Sequence, residues 1–128
     1  MKQKENGRIR HLGFPTHGTL DTMKRFIDAY GKDMEFCQIQ LNWVDWKMQN
    51  AKAKVEMLKE QGIPVWVMEP VRGGKLATLE EEYANELKTL RPDATPAEWS
   101  FRFLQSIPEV VVTLSGMSDM KQLIENIA

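Results

Sequence analysis

The chain has 128 residues, 42% hydrophobic and 27% charged, and its 17 Lys and Arg nearly balance 18 Asp and Glu at a net charge of −1. With no basic run longer than a pair it lacks the clustered cations that nucleic acid or an anionic membrane demands, and no apolar stretch approaches the ~20 residues of a membrane span. A length of 128 suits a small α/β unit or about half of a ~250-residue barrel, and residues 1–128 are read as one domain.

The polar leader, residues 1–7, has charge but no apolar core behind it, so neither a signal nor a transit peptide is expected and the cytoplasm is the default location. Residues 9–14 alternate apolar with polar and stop at Pro15-Thr16-His17-Gly18, the pattern of a strand ending in a loop. Leu20, Met23, Phe26, Ile27 and Tyr30 then recur at helical spacing behind Thr19, an acceptable N-cap, with Gly31 as the stop. Residues 36–42 form a second predicted strand whose alternation puts Gln38 and Gln40 on one face. A helix is predicted from about Lys47 to Gln61, with Ala51, Val55 and Leu58 on one side and Gly62 closing it. The near-continuously apolar 63–68 predicts a strand covered on both faces.

The loop 69–76 precedes two helices opened by capping boxes, Thr78 with Glu81, and Thr95 with Pro96 and Glu98; a turn at 91–94 separates them. The β-branched 109–115 predicts a fourth strand, and Ser118 is expected to cap a last helix with Met120, Leu123, Ile124 and Ile127 inward. Four strand-then-helix units with one extra helix must carry parallel strands, because hairpins cannot join strands separated by helices. Either an open doubly wound sheet or part of a (β/α) barrel satisfies that pattern, and in both the ligands bind at the carboxyl ends of the strands.

Those ends present Thr16 and His17, Asn42, Glu69–Lys75, and Ser115–Ser118. Gly73-Gly74-Lys75 suggests a backbone cradle for an anion, but Glu69 and Leu76 break the nucleotide-triphosphate loop pattern, and a plain flexible loop fits equally well. A helix N-terminus at Ser118 could hold phosphate; as simple structure, Ser118 is only a cap, with Gln122, Glu125 and Asn126 on a solvated face. Gln38 and Gln40 side by side demand several partners, which favours a ligand amide over a satisfied polar layer. His11 and His17 lack a carboxylate or nucleophile partner in sequence and are given structural roles. Trp43, Trp46, Trp66 and Trp99 are read as packing residues, the first two with the option of lining a pocket. Asp21, Asp28 and Asp45 form no carboxylate cluster, and the single Cys37 can build neither a disulfide nor a metal site alone.

Four segments carry a resemblance. Residues 7–14, Gln38-Ile39-Gln40-Leu41-Asn42-Trp43, the run 68–76, and 115–118 with 122–126 resemble the fifth to eighth strands of aldo-keto reductases, in order and at that family's spacing. The wording is closest to bacterial members with a ferredoxin-like cysteine cluster after the barrel. The resemblance implies the C-terminal half of a TIM (β/α)8 barrel, four parallel βα units plus one extra helix, and a fragment of an NADP(H)-dependent oxidoreductase that reduces aldehydes or ketones. It implies that Gln38 holds the nicotinamide carboxamide, helped by Thr16 because Pro15 stands where many relatives have serine. Met68 packs where many relatives stack an aromatic ring. Val71, Gly73 and Lys75 pass over the pyrophosphate, Ser118 and Gln122 lie near the adenosine ribose and its 2′-phosphate, and Glu125 with Asn126 grips adenine.

The family's catalytic Asp, Tyr, Lys and His come from its first four strands, which the resemblance does not cover. Tyr30 and Tyr83, on predicted helices away from strand ends, are not expected to replace the tyrosine. The chain is thus read as a truncated or excised piece, inactive alone and expected to pair with a missing N-terminal half or with a second copy. The alternative is a structural half barrel that oligomerises and binds no nucleotide. No nucleic-acid or membrane partner is expected.

Overall fold

A computed structural model describes residues 2–127. Short helix α1 (Lys2–Glu5) leads into β1 (Gly13–Thr16), α2 (Leu20–Tyr30), β2 (Phe36–Gln40), α3 (Asp45–Met48), α4 (Ala51–Glu60) and β3 (Val65–Met68), and then α5 (Glu81–Leu90), α6 (Pro96–Gln105), β4 (Val110–Thr113) and α7 (Met120–Ile127). The four strands form one parallel sheet in chain order, β1-β2-β3-β4. Period-2 geometry divides its side chains between two faces. Phe14, Cys37, Ile39, Val65 and Val67 pack with Met23 and Ile27 of α2, Val55 and Leu58 of α4, and Leu104 of α6 in one buried cluster. Fully burying a residue such as Ile39 or Leu58 contributes about 1.5–3 kcal/mol.

The opposite face carries Phe36, Gln38, Gln40, Trp66 and Met68, all half-buried. Phe36 stacks on Trp66 there, with ring centroids 4.0 Å apart and planes 14° from parallel. Gly13 makes room for the stack: a Cβ at that position would stand 2.5 Å from three atoms of the Phe36 ring.

Several elements depart from expectation. The first strand begins at Gly13 rather than at residue 9, because the N–H groups of Arg8 and Ile9 bond back to Gln3 and leave 7–11 outside the ladder. His11 is accordingly exposed and pairs with Glu35 at 2.6 Å. The helix expected over 47–61 is two helices, because Asn50 adopts a left-handed φ of 52°, a conformation asparagine tolerates better than most residues. Thr95 caps α6 as expected, accepting from the Glu98 N–H at 3.1 Å, but Thr78 caps nothing and donates to the Gly74 carbonyl instead. The cap of α7 is Asp119, whose Oδ1 accepts the Gln122 N–H at 2.8 Å, and not Ser118. Met120, Ile124 and Ile127, expected inward, are 67%, 58% and 73% exposed; only Leu123 is half-buried. The apolar stripe of α7 therefore has no layer over most of its length. No helix among the described residues is long and apolar enough to cross a membrane.

Candidate functional site

At the carboxyl end of β3 the backbone turns through Glu69–Ala77 in a series of tight bends. Arg72 donates to the Glu69 carbonyl, Lys75 to that of Arg72, Leu76 to that of Val71 and Ala77 to that of Gly74, at 3.0–3.2 Å. Glu69, Arg72, Gly73 and Gly74 all take positive φ, at 59°, 50°, 62° and 87°. Glycine adopts this region freely, whereas Glu69 and Arg72 are strained in it. Leu76, 6% exposed, anchors the far end of the loop in the interior.

The loop is tied to β2. Just past β2, fully buried Asn42 donates from Nδ2 to the Glu69 carbonyl at 3.0 Å and to Asp45 Oδ2 at 2.7 Å, while its Oδ1 accepts the N–H groups of Val44 and Asp45. Asp45, also fully buried, accepts a further bond from Gln40 Nε2 at 2.8 Å. Its Oδ1 has no hydrogen bond and lies 3.7 Å from Arg72 Nε. A search for clustered carboxylates misses Asp45; its detectable signal in the sequence is the Asn-x-x-Asp spacing, which lets one side chain cap the turn that holds the other.

At the end of β4, Leu114 still donates to the Val67 carbonyl at 2.9 Å, and the chain then turns at Ser115. Ser115 Oγ accepts from the Met117 N–H at 3.2 Å and from Asn126 Nδ2 at 3.0 Å, which fastens α7 to the end of the sheet. Gln122 Oε1 accepts the Ser118 N–H at 2.7 Å, just before the helix, while Asp119 Oδ1 satisfies one of the N–H donors that open it, that of Gln122. Glu125 sits one turn from Lys121, 3.8 Å away.

Between the 69–77 loop and the 114–126 segment lies a cleft of about 450 Å³. Of the residues that the resemblance assigns to a cofactor, Met68, Val71, Gly73, Gln122, Glu125 and Asn126 line it. The other four lie outside it. Thr16 ends β1 and accepts the Gly18 N–H at 3.1 Å, and Gln38 is half-buried in the middle of β2 between Pro15 and Trp66. Lys75 and Ser118 are exposed. Ser115, Gly116 and Met117 line the cleft as well.

A second cavity, about 350 Å³, opens beside Trp43, Leu76, Leu79 and Tyr83. Tyr83 is thus closer to the end of β2 than its helix position implied, though it is outside the main cleft. Trp46 is a packing residue, edge-on to Phe103 at 5.6 Å. Burial pushes the Cys37 thiol up to about 12, which keeps it protonated and inert. No group of three His, Cys, Asp or Glu suited to a metal ion occurs among the described residues.

In fold the chain is similar to the aldo-keto reductase AKR11C1 from Bacillus halodurans. It matches the holo form with a TM-score of 0.76 at 20% identity, over 98% of this chain and 46% of that one. The apo form gives 0.75 at 20% identity, over 98% and 47%. A thermostable aldo-keto reductase, Tm1743, solved in complex with the inhibitor epalrestat, gives 0.74 at 18% identity, over 98% and 44%. The chain therefore spans about half the length of these structures, as four parallel βα units of a (β/α) barrel would. No curated protein matches it in sequence. The model of the aldo/keto reductase family matches residues 1–128, and the chain belongs to that family.

Proposed function

We propose that this chain is the cofactor-binding part of an aldo-keto reductase barrel, and that the cleft between the 69–77 loop and α7 takes a nicotinamide dinucleotide. The observation that carries the proposal is the cleft itself. It lies at the carboxyl ends of β3 and β4, where ligands of parallel α/β folds bind, and its volume falls within the roughly 300–1,000 Å³ usual for ligand sites. Its walls fit such a ligand. At Gly74 and Gly116 nothing stands within 4 Å of where a Cβ would project, so an extended anion can approach the backbone there. Asn126 and Gln122 offer amide groups to a heterocycle and a ribose.

Within this proposal Val71, Gly73 and Lys75 run along the pyrophosphate, Ser118 and Gln122 meet the adenosine ribose, and Glu125 with Asn126 meets adenine. Gln38 orients the nicotinamide amide, with Thr16 beside it and Met68 packing on the ring. The family resemblance implies the phosphorylated cofactor, NADP(H). A bound nicotinamide supplies the hydride; the chain's own residues bind it and fix its orientation. Neither tyrosine reaches the cleft: Tyr30 is 56% exposed on α2, and Tyr83 lines the separate cavity. With no proton donor of the family's kind in the cleft, the chain alone is proposed to carry no reductase turnover.

Calorimetric titration of NADPH tests the proposal: saturable binding, weakened by Asn126→Ala, supports it, and no heat at millimolar cofactor overturns it. Oxidation of NADPH by aldehydes, surviving purification and lost in Gln38→Ala, would overturn the claim of inactivity. A second proposal rests on the half-exposed sheet face and on the exposed Met120, Ile124 and Ile127 of α7. It makes the chain an interaction unit that binds no nucleotide and pairs with a second copy or with the complementary half of a barrel. A monomer by light scattering across the micromolar range would argue against self-pairing.

A further inference from the structure

The buried cluster beneath the 69–77 loop belongs to neither the hydrophobic core nor the cleft lining. Asp45 is wholly buried, yet only one of its oxygens is hydrogen-bonded, to the amides of Gln40 and Asn42. The other has no hydrogen bond and lies 3.7 Å from Arg72 Nε. A buried carboxyl oxygen without a hydrogen bond is costly, which favours keeping the Arg72 side chain over Asp45. Arg72 in turn holds a left-handed φ of 50°, and Glu69, three residues earlier, one of 59°. Non-glycine residues persist in that region only where their surroundings fix them. What fixes these two is visible: Asn42 Nδ2 grips the Glu69 carbonyl at 3.0 Å, and Asp45 faces the Arg72 side chain. Both ties come from the segment just past β2, so they fasten the loop of one strand to the end of its neighbour.

We propose that Asn42 and Asp45 are positioning residues that hold the 69–74 loop in its left-handed shape before any ligand arrives. The segment they fix supplies Pro70, Val71, Gly73 and Gly74 to the cleft wall. A loop already in its binding shape loses no affinity to reordering, whereas one populated only fractionally weakens apparent binding by that fraction. Arg72 serves as the tether and not as a ligand contact, since the wall of the cleft is built by its neighbours. The inference rests on the nucleotide reading of the cleft for its functional consequence, and on the free protein alone for the clamp.

The test is amide hydrogen exchange over 71–77 in the unliganded protein, together with NADPH affinity by calorimetry. The variants are Asp45→Asn, Arg72→Met and, as a control destabilised in the core, Ile39→Val. Exchange across the loop should rise at least tenfold in both clamp variants while amides of β2 and β3 stay protected, and NADPH binding should weaken about tenfold, or ~1.4 kcal/mol. Arg72→Lys, which keeps the charge, should recover most of the protection, and Ile39→Val should leave loop exchange and affinity alone. If Asp45→Asn does not fold, Arg72→Met carries the test, because its side chain is 35% exposed. Unchanged loop exchange in Arg72→Met overturns the clamp, as does the same loosening in Ile39→Val. A loosened loop with unaltered affinity overturns its role in positioning. If the unmodified protein binds no NADPH, the nucleotide reading fails, and the clamp stands or falls on exchange alone.

Discussion

Gly13→Ala tests how tightly the half-exposed sheet face is packed. The added Cβ would lie 2.5 Å from three ring atoms of Phe36, where about 3.5–4.0 Å is comfortable between carbons, so the ring must retreat by about 1 Å. It cannot do so freely, because it stacks on Trp66 at 4.0 Å with near-parallel planes. Overpacking of this kind costs about 1–3 kcal/mol, against which Ala recovers about 0.4–1 kcal/mol by restricting the unfolded chain. At the middle of those ranges the net loss is about 1.3 kcal/mol, which should lower the urea midpoint by about 0.7 M, given a slope of roughly 2 kcal/mol/M. Trimming the ring should remove the conflict, so the double variant Gly13→Ala/Phe36→Leu should be more stable than the sum of its single changes by about 0.5–3 kcal/mol. An unchanged midpoint in Gly13→Ala, or strictly additive effects in the double variant, would refute the packing described for β1, β2 and β3.

Leu58, fully buried on α4 against the sheet, should cost about 2–5 kcal/mol when replaced by Ala, measured by the same unfolding experiment; a loss below about 1 kcal/mol would mean that the helix layer is loose. Lys4 and His11 hold the Glu35 carboxyl down at about 2, from an ordinary 4.5. Because the folded-state value is depressed, the stabilisation is complete above pH 4.5 and is lost as pH falls toward 2. The stability difference between the wild type and Glu35→Gln should therefore shrink over that window, and a difference constant with pH would contradict it. Cys37, buried and held protonated up to about pH 12, should be silent to a thiol reagent at pH 8 in the native protein and react at once in denaturant. Rapid native labelling would place it nearer the surface.

Periodic elements were legible in the sequence wherever local rules met an available layer. The α2 stripe of Met23 and Ile27 is buried, Thr19 and Thr95 cap their helices, and the alternation 36–40 divides Cys37 and Ile39 from Gln38 and Gln40 as expected. The same periodicity misled at α7, whose apolar stripe predicts a buried face that no neighbour in the sheet supplies. There Asp119, one residue after Ser118, takes the cap because its carboxylate reaches the Gln122 N–H. Loop geometry was less accessible. That Glu69–Gly74 curls through left-handed turns depends on Asn42, 27 residues earlier, and on Asp45, and no local pattern links such distant positions. The glycine-rich run and the end of the fourth strand were both legible as ligand-side positions, and the family resemblance joined them around one cofactor; the cleft between them is seen in the fold.

Amide NMR shifts followed through an NADPH titration test whether the cleft between the 69–77 loop and α7 receives a nicotinamide dinucleotide. Saturable shifts confined to residues 68–77 and 114–126 are expected, with the helix-covered face of the sheet unmoved. An absence of shifts at millimolar cofactor, or shifts centred on the cavity beside Trp43 and Tyr83, would contradict it.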